Sequence, residues 1–139
     1  MKIKLSQFKR FEKQIILKKI GISGQKKIFS GNVLIIGIGG LGCPLLSYLA
    51  ASGVGKIGLV DFDKVELSNL NRQTLFNQKD IGKFKVNQAK IAIRKINKDI
   101  NIFLFKKKLT KKNIEKICAS FEIICDGTDN FYSRYLIND

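Results

Sequence analysis

"GNVLIIGIGGLGCPLLSYLAASGVGKIGLVDFD", residues 31–63, contains an apolar run, a glycine cluster, a second apolar run and a closing pair of acids. NVLIIG reads as a fully buried strand because nothing interrupts its apolar character. A helix is predicted over 41–52, with Pro44 tolerated in its first turn. KIGLVDFD reads as the second strand. Gly37, Gly39 and Gly42 fit G-x-G-x-x-G between strand and helix, the context that gives the motif meaning. Such a turn needs glycine for tight curvature, for close backbone approach to a phosphate and for close helix packing. The helix start then offers free N–H groups to an anion. Asp61 follows about twenty residues later, where an acid grips ribose hydroxyls. A nucleotide ligand is the expectation.

Working outward, residues 28–55 carry no charge, a length that could span a bilayer. Eight glycine and proline residues break that segment, so it reads as strand, turn and helix of a soluble chain. Before it, a helix is predicted over 6–20 with Phe8, Phe11 and Ile15 on one face. GISGQKKIFSG is expected as a connector, with or without a short helix in it. After it, residues 62–80 read as a long irregular loop of the kind that carries function. A helix follows over 83–97, lined by Val86, Ala89, Ile93 and Ile96. INIFLF is a third strand, TKKNIEKICASF a helix and FEIIC a fourth strand. NFYSRYLIND starts a last helix, with Phe131, Tyr135 and Leu136 expected to face a core. Alternating strands and helices predict an α/β, Rossmann-like parallel sheet covered on both faces. The expected division is an N-terminal helical segment, 1–30, and a nucleotide-binding domain, 31–139.

Composition narrows the chemistry. The chain has 139 residues, 45% hydrophobic and 27% charged, which suits a globular domain. Lys and Arg number 26 against 11 acids, a net +15. The lysines are dispersed, with no arginine-rich or aromatic-interleaved tract, which argues against nucleic acid as a partner. There is no histidine, and Cys43, Cys118 and Cys125 show no CxxC spacing. That argues against a zinc site or a Ser-His or Cys-His pair. Sparse thiols and no apolar leader core point to the cytoplasm. All three cysteines fall in elements predicted to be buried, with packing roles.

The glycines do not separate NAD from ATP. The following loop, VELSNLNRQTLF, brings Arg72 and a set of amides, and DIGKFK brings Lys83 and Lys85 to a helix start. Cations there suit a triphosphate better than a nicotinamide ring, although Lys85 as a solvated lysine and Arg72 as a loop cap stay open. The fourth strand ends in CDGTDN, which places Asp126 and Asp129 at the same crevice. A carboxylate beside a triphosphate holds Mg²⁺; the competing reading is that Asp129-Asn130 caps the next helix.

GIGGLGCP, ASGVGKIGLVDFDKVELSNLNRQ, DIGKFK and CDGTDNFYSRYLIND together resemble the ThiF/MoeB/HesA family, relatives of ubiquitin-activating enzymes. The resemblance implies adenylation, with ATP and Mg²⁺, of the C-terminal carboxylate of a ubiquitin-like sulfur-carrier protein. It implies that Gly37, Gly39, Gly40 and Gly42 form the nucleotide turn, with Asp61 on the ribose. Asn69, Arg72 and Lys85 would contact phosphates, with Gln73, Thr128 and Asn130 beside the nucleotide. Asp129 would bind magnesium. In the family's R-Y-x-R-Q stretch the second arginine reaches the partner's triphosphate in a dimer; here RFEKQ supplies Lys13. GKFK carries Phe84 where the family has proline, and an altered local turn is expected. Family members also continue well beyond this length, with the rest of the sheet and a carrier-binding surface, so an incomplete domain with an open, association-prone sheet edge is expected. Two other readings stay open: an inactive nucleotide-binding remnant or partner subunit, and an NAD-dependent oxidoreductase.

Overall fold

A computed structural model describes residues 2–139; Met1, the first residue of the expected N-terminal segment, lies outside the described residues. Four parallel strands form one sheet: β1 (Asn32–Ile36), β2 (Lys56–Val60), β3 (Asn101–Phe105) and β4 (Ile123–Asp126), in the order β3-β2-β1-β4. The crossovers are α3 (Gly42–Ser52), α4 (Lys85–Ile96) and α5 (Ile114–Cys118), with α1 (Leu5–Ile15) and α2 (Gly21–Ser30) before the sheet and α6 (Phe131–Asn138) after it.

Alternation along the strands divides the core. Val33, Ile35, Ile57 and Leu59 pack on Cys43, Leu46 and Ala50 of α3 and on Val86, Ala89 and Ile93 of α4. Leu34, Ile36 and Val60 face the other way, onto Ile117, Phe121 and Leu136. Both faces are therefore covered, as expected for parallel strands linked by helices. The long loop predicted between β2 and the next helix is also present, tightened by two short 3₁₀ turns at Leu67–Asn69 and Gln78–Asp80.

The N-terminal region departs from the predicted helix over 6–20. α1 ends at Ile15, and Gly21 at φ 57° begins a second helix in the stretch expected as a connector. Apolar periodicity is weak in GISGQKKIFS, and tertiary contacts hold it instead. Phe29 meets Phe11 edge-to-face with centroids 5.0 Å apart. Gln25 is fully buried; its amide and that of Gln14 both donate to the Ser52 carbonyl at the end of α3, at 3.1 and 3.2 Å.

Two further expectations are corrected. The helix predicted over 110–121 shrinks to five residues, because the Asn113 side chain folds 110–113 into a turn by accepting from the Thr110 N–H. Phe121 then crosses over Gly58, whose missing side chain makes room for its ring. In α6 it is Leu136 and Ile137 that pack inward, whereas Phe131 and Tyr135 are 74% and 66% exposed. Phe84 does not alter its turn: its φ of −64° is the value proline would impose.

Candidate functional site

A cleft of about 480 Å³ opens at the carboxyl ends of β1, β2 and β4. This is where an open parallel sheet takes its ligands. The glycines divide into two kinds. Gly37 sits at φ 87°, and a Cβ there would lie 2.9 Å from the Gly127 carbonyl. A Cβ on Gly42 would run into the Gly37 carbonyl oxygen. These two glycines let β1, α3 and the turn after β4 close on one another, and Gly42 stands behind the cleft wall. Gly39 and Gly40 line the cleft beside Gly37. An added Cβ would meet nothing nearer than Gln73 at 3.8 Å and Arg72 at 3.5 Å, respectively.

Asp61 is buried at the end of β2. One carboxylate oxygen accepts from the Ile38 N–H and the other from the Asp63 N–H, both at 2.8 Å. Burial pushes its carboxyl above the usual carboxylate range, and those two N–H donors and the Lys85 ammonium pull the other way. The acid thereby ties the glycine turn to β2.

Lys85 opens α4, where the positive end of the helix disfavours a cation, yet its side chain is only 7% exposed. Its ammonium stands 3.6 Å from the half-exposed carboxylate of Asp63. Arg72 lays its methylenes along Gly40 and donates to the Ser68 carbonyl and the Asn71 side chain at 3.0 and 3.1 Å. Gln73 is 3% exposed and its side-chain oxygen has no partner among the described residues. A buried acceptor left so costs about 1–3 kcal/mol, so a donor arriving in the cleft would be favoured there. Asn69 does not line the cleft. Its side-chain oxygen accepts from the Glu66 N–H, and its carbonyl accepts from the N–H groups of Arg72 and Gln73. It shapes the turn that presents those two residues.

On the opposite wall lie Thr128, Asp129 and Asn130. The helix cap is Asn130, which accepts from the Ser133 N–H at 2.9 Å. Asp126 accepts from both the N–H and the hydroxyl of Thr128. Asp129 makes no hydrogen bond or ion pair among the described residues, so its carboxylate stands free in the cleft. Lys13 is elsewhere, exposed on α1 beside Glu12 at 3.3 Å.

The cleft also contains residues the sequence reading did not single out: Lys107, Lys108, Leu109 and Arg134. The first three follow β3 directly, so the rule that ligands sit past strand ends could have found them. Arg134 lies one turn into α6, on the face of the cap Asn130. Next to Lys85 in the chain, Phe84 has the ammonium groups of Lys64 and Lys106 at 5.2 and 5.1 Å from its ring centre.

Beneath the glycine turn, Cys43 is fully buried, and desolvation pushes its thiol up to about 11. Cys118 and Cys125, expected to be buried, are only partly so. Native protein treated with iodoacetamide at pH 7.5 is expected to resist alkylation at Cys43 until unfolded, as peptide mass mapping would show.

A family model described as the ThiF family matches residues 11–139. The chain belongs to the ThiF family. Among curated relatives, this ThiF-family chain is 46% identical over 135 residues to a probable molybdopterin-synthase adenylyltransferase of Porphyra purpurea, covering 97% of the chain and 35% of the relative. It is 42% identical over 138 residues to the adenylyltransferase and sulfurtransferase MOCS3 of Culex quinquefasciatus, covering 99% and 32%. The chain thus spans about a third of the length of these relatives. Among solved structures, E. coli tRNA N6-threonylcarbamoyladenosine dehydratase, TcdA, in complex with ATP superimposes with a TM-score of 0.91. Its 24% identity over 99% of this chain and 56% of that one shows the fold alone. E. coli MccB with AMPCPP and MccA gives a TM-score of 0.76 at 30% identity over 82% of this chain and 33% of that one. The ThiF-family chain has no helix among its described residues long and apolar enough to cross a membrane.

Proposed function

We propose that this chain is the ATP-binding portion of an enzyme that adenylates the C-terminal carboxylate of a ubiquitin-like sulfur carrier. The observation that carries the reading is one cleft in which bare Gly39 and Gly40 face Arg72 and buried Lys85, with Asp61 at its base. The MOCS3 and molybdopterin-synthase adenylyltransferase names of its relatives, and the AMPCPP in the MccB complex, support it. Gly39 and Gly40 leave the backbone open to phosphates, and Asp61 stands where ribose hydroxyls would donate.

In the reaction, a carboxylate oxygen of the carrier attacks the α-phosphorus of ATP. The bond to the β-phosphate oxygen breaks, giving acyl-adenylate and pyrophosphate. The attacking carboxylate is already ionised at neutral pH, so no general base is required. The barrier is electrostatic, since an anion approaches an anion and charge departs on pyrophosphate. Arg72 and Lys85 offset that charge from the glycine side.

The cleft fits magnesium. Among the described residues no group of three or more possible metal ligands exists, but Mg²⁺ asks for only one or two carboxylates plus phosphates and water. Asp129, the free carboxylate, would hold it, with the Thr128 hydroxyl and Asn130 beside it. Magnesium when bound neutralises phosphate charge. Lys13 is assigned to the cleft of a second copy in a homodimer, as a cation acting across the interface, and the whole protein to the cytoplasm.

Titration of the protein with Mg·ATP and with NAD tests the ligand. ATP is expected to bind at least tenfold more tightly, and pyrophosphate exchange in the full-length protein should require the carrier. Tighter NAD binding would end the adenylation reading.

A further inference from the structure

Arg134 stands one turn into α6 and lines the cleft beside Asp129. Its guanidinium donates twice to one acceptor, the Thr128 carbonyl, from Nε at 3.3 Å and from a terminal nitrogen at 3.0 Å. That carbonyl belongs to the peptide unit leading directly into Asp129. The other side of the same turn is fixed as well. Gly127 donates to the Ile36 carbonyl at 2.8 Å, Thr128 donates twice to Asp126, and Asn130 caps α6. Every residue from 126 to 130 except Asp129 is therefore held by a hydrogen bond. Arg134, itself exposed, closes this arrangement from the solvent side.

We infer that Arg134 is a positioning residue for magnesium: by clamping the Thr128 carbonyl it aims the Asp129 carboxylate at the metal. A planar fork fixes direction as well as distance, which a single ammonium donor does not. The inference rests on the magnesium reading of Asp129 proposed above. Groups that orient a metal ligand without touching the metal carry about 10–100-fold in metal affinity.

The measurement is ATP binding to the full-length protein across a Mg²⁺ titration, for wild type, Arg134→Ala, Asp129→Asn and the double variant. Arg134→Ala is expected to move the Mg²⁺ midpoint up at least tenfold while leaving ATP affinity in EDTA within about twofold. Millimolar guanidinium should restore the midpoint in Arg134→Ala, and Arg134→Lys should recover it only in part. In the Asp129→Asn background the same change should add nothing. If Arg134→Ala weakens ATP equally with and without Mg²⁺, and does so in both backgrounds, Arg134 is a direct phosphate contact and the inference fails. If Asp129→Asn leaves the wild-type Mg²⁺ response intact, the magnesium reading fails first and takes this inference with it.

Discussion

Lys85→Met is expected to lower carrier adenylation by on the order of 10²–10³-fold, the loss seen when one preorganised donor to developing charge is removed. Folding should not suffer. Lys85 is a buried cation at the positive end of α4, and its only ion-pair partner among the described residues, Asp63, is half exposed and can return to water. Methionine keeps the length and apolar stem of lysine and removes a charge that is costly to bury. Urea denaturation of Lys85→Met should therefore give a midpoint at or above wild type, while pyrophosphate exchange collapses. A parallel loss of stability and activity would show that Lys85 holds the fold together and has no specific dealings with phosphate.

Gly42→Ala and Gly39→Ala should behave in opposite ways although only three positions separate them. At Gly42 the new methyl meets the Gly37 carbonyl oxygen, a backbone atom that no rotamer change can move. Relieving that overlap separates α3 from β1 at the centre of the core, at a cost of about 3 kcal/mol or more. Against a total of roughly 5–15 kcal/mol that is a large fraction. At Gly39 the nearest atom is 3.8 Å away, so alanine fits without displacing any protein atom. Thermal unfolding should show Gly42→Ala melting far below wild type and Gly39→Ala unchanged. The Gly39 variant should nonetheless lose ATP affinity at least tenfold, because its methyl takes space the phosphates need. If both variants melt normally and both bind ATP, the glycine turn is not the phosphate site.

The central fold was legible because its signals are local. NVLII and KIGLV are apolar without interruption, and a helix carrying Val86, Ala89 and Ile93 at steps of three and four has one plausible buried face. α2 was not legible, since what makes it a helix is distant: Phe11 against Phe29, and Gln14 and Gln25 sharing the Ser52 carbonyl. The short α5 depends on one asparagine side chain closing a turn, which periodicity does not register. In α6, the spacing of Phe131 and Tyr135 mimics a core face, but the sheet lies under Leu136 and Ile137. At the cleft, motif residues Gly39, Gly40, Asp61, Arg72, Gln73, Lys85, Thr128, Asp129 and Asn130 all converge on one space. Gly42 and Asn69 shape its walls from behind. Arg134 and the lysines after β3 were hidden in a chain where lysine is everywhere, so that charge alone marked nothing.

The pairing of Lys85 with Asp63 gives the cleft a counterion of its own. A monovalent anion that enters must displace a carboxylate already in place and gains little by the exchange. A ligand with several adjoining negative charges can occupy Lys85 and still engage Arg72 and the open backbone at Gly39 and Gly40. On the proposed reading the pair acts as a valence filter, turning away a small anion such as chloride and admitting a polyphosphate.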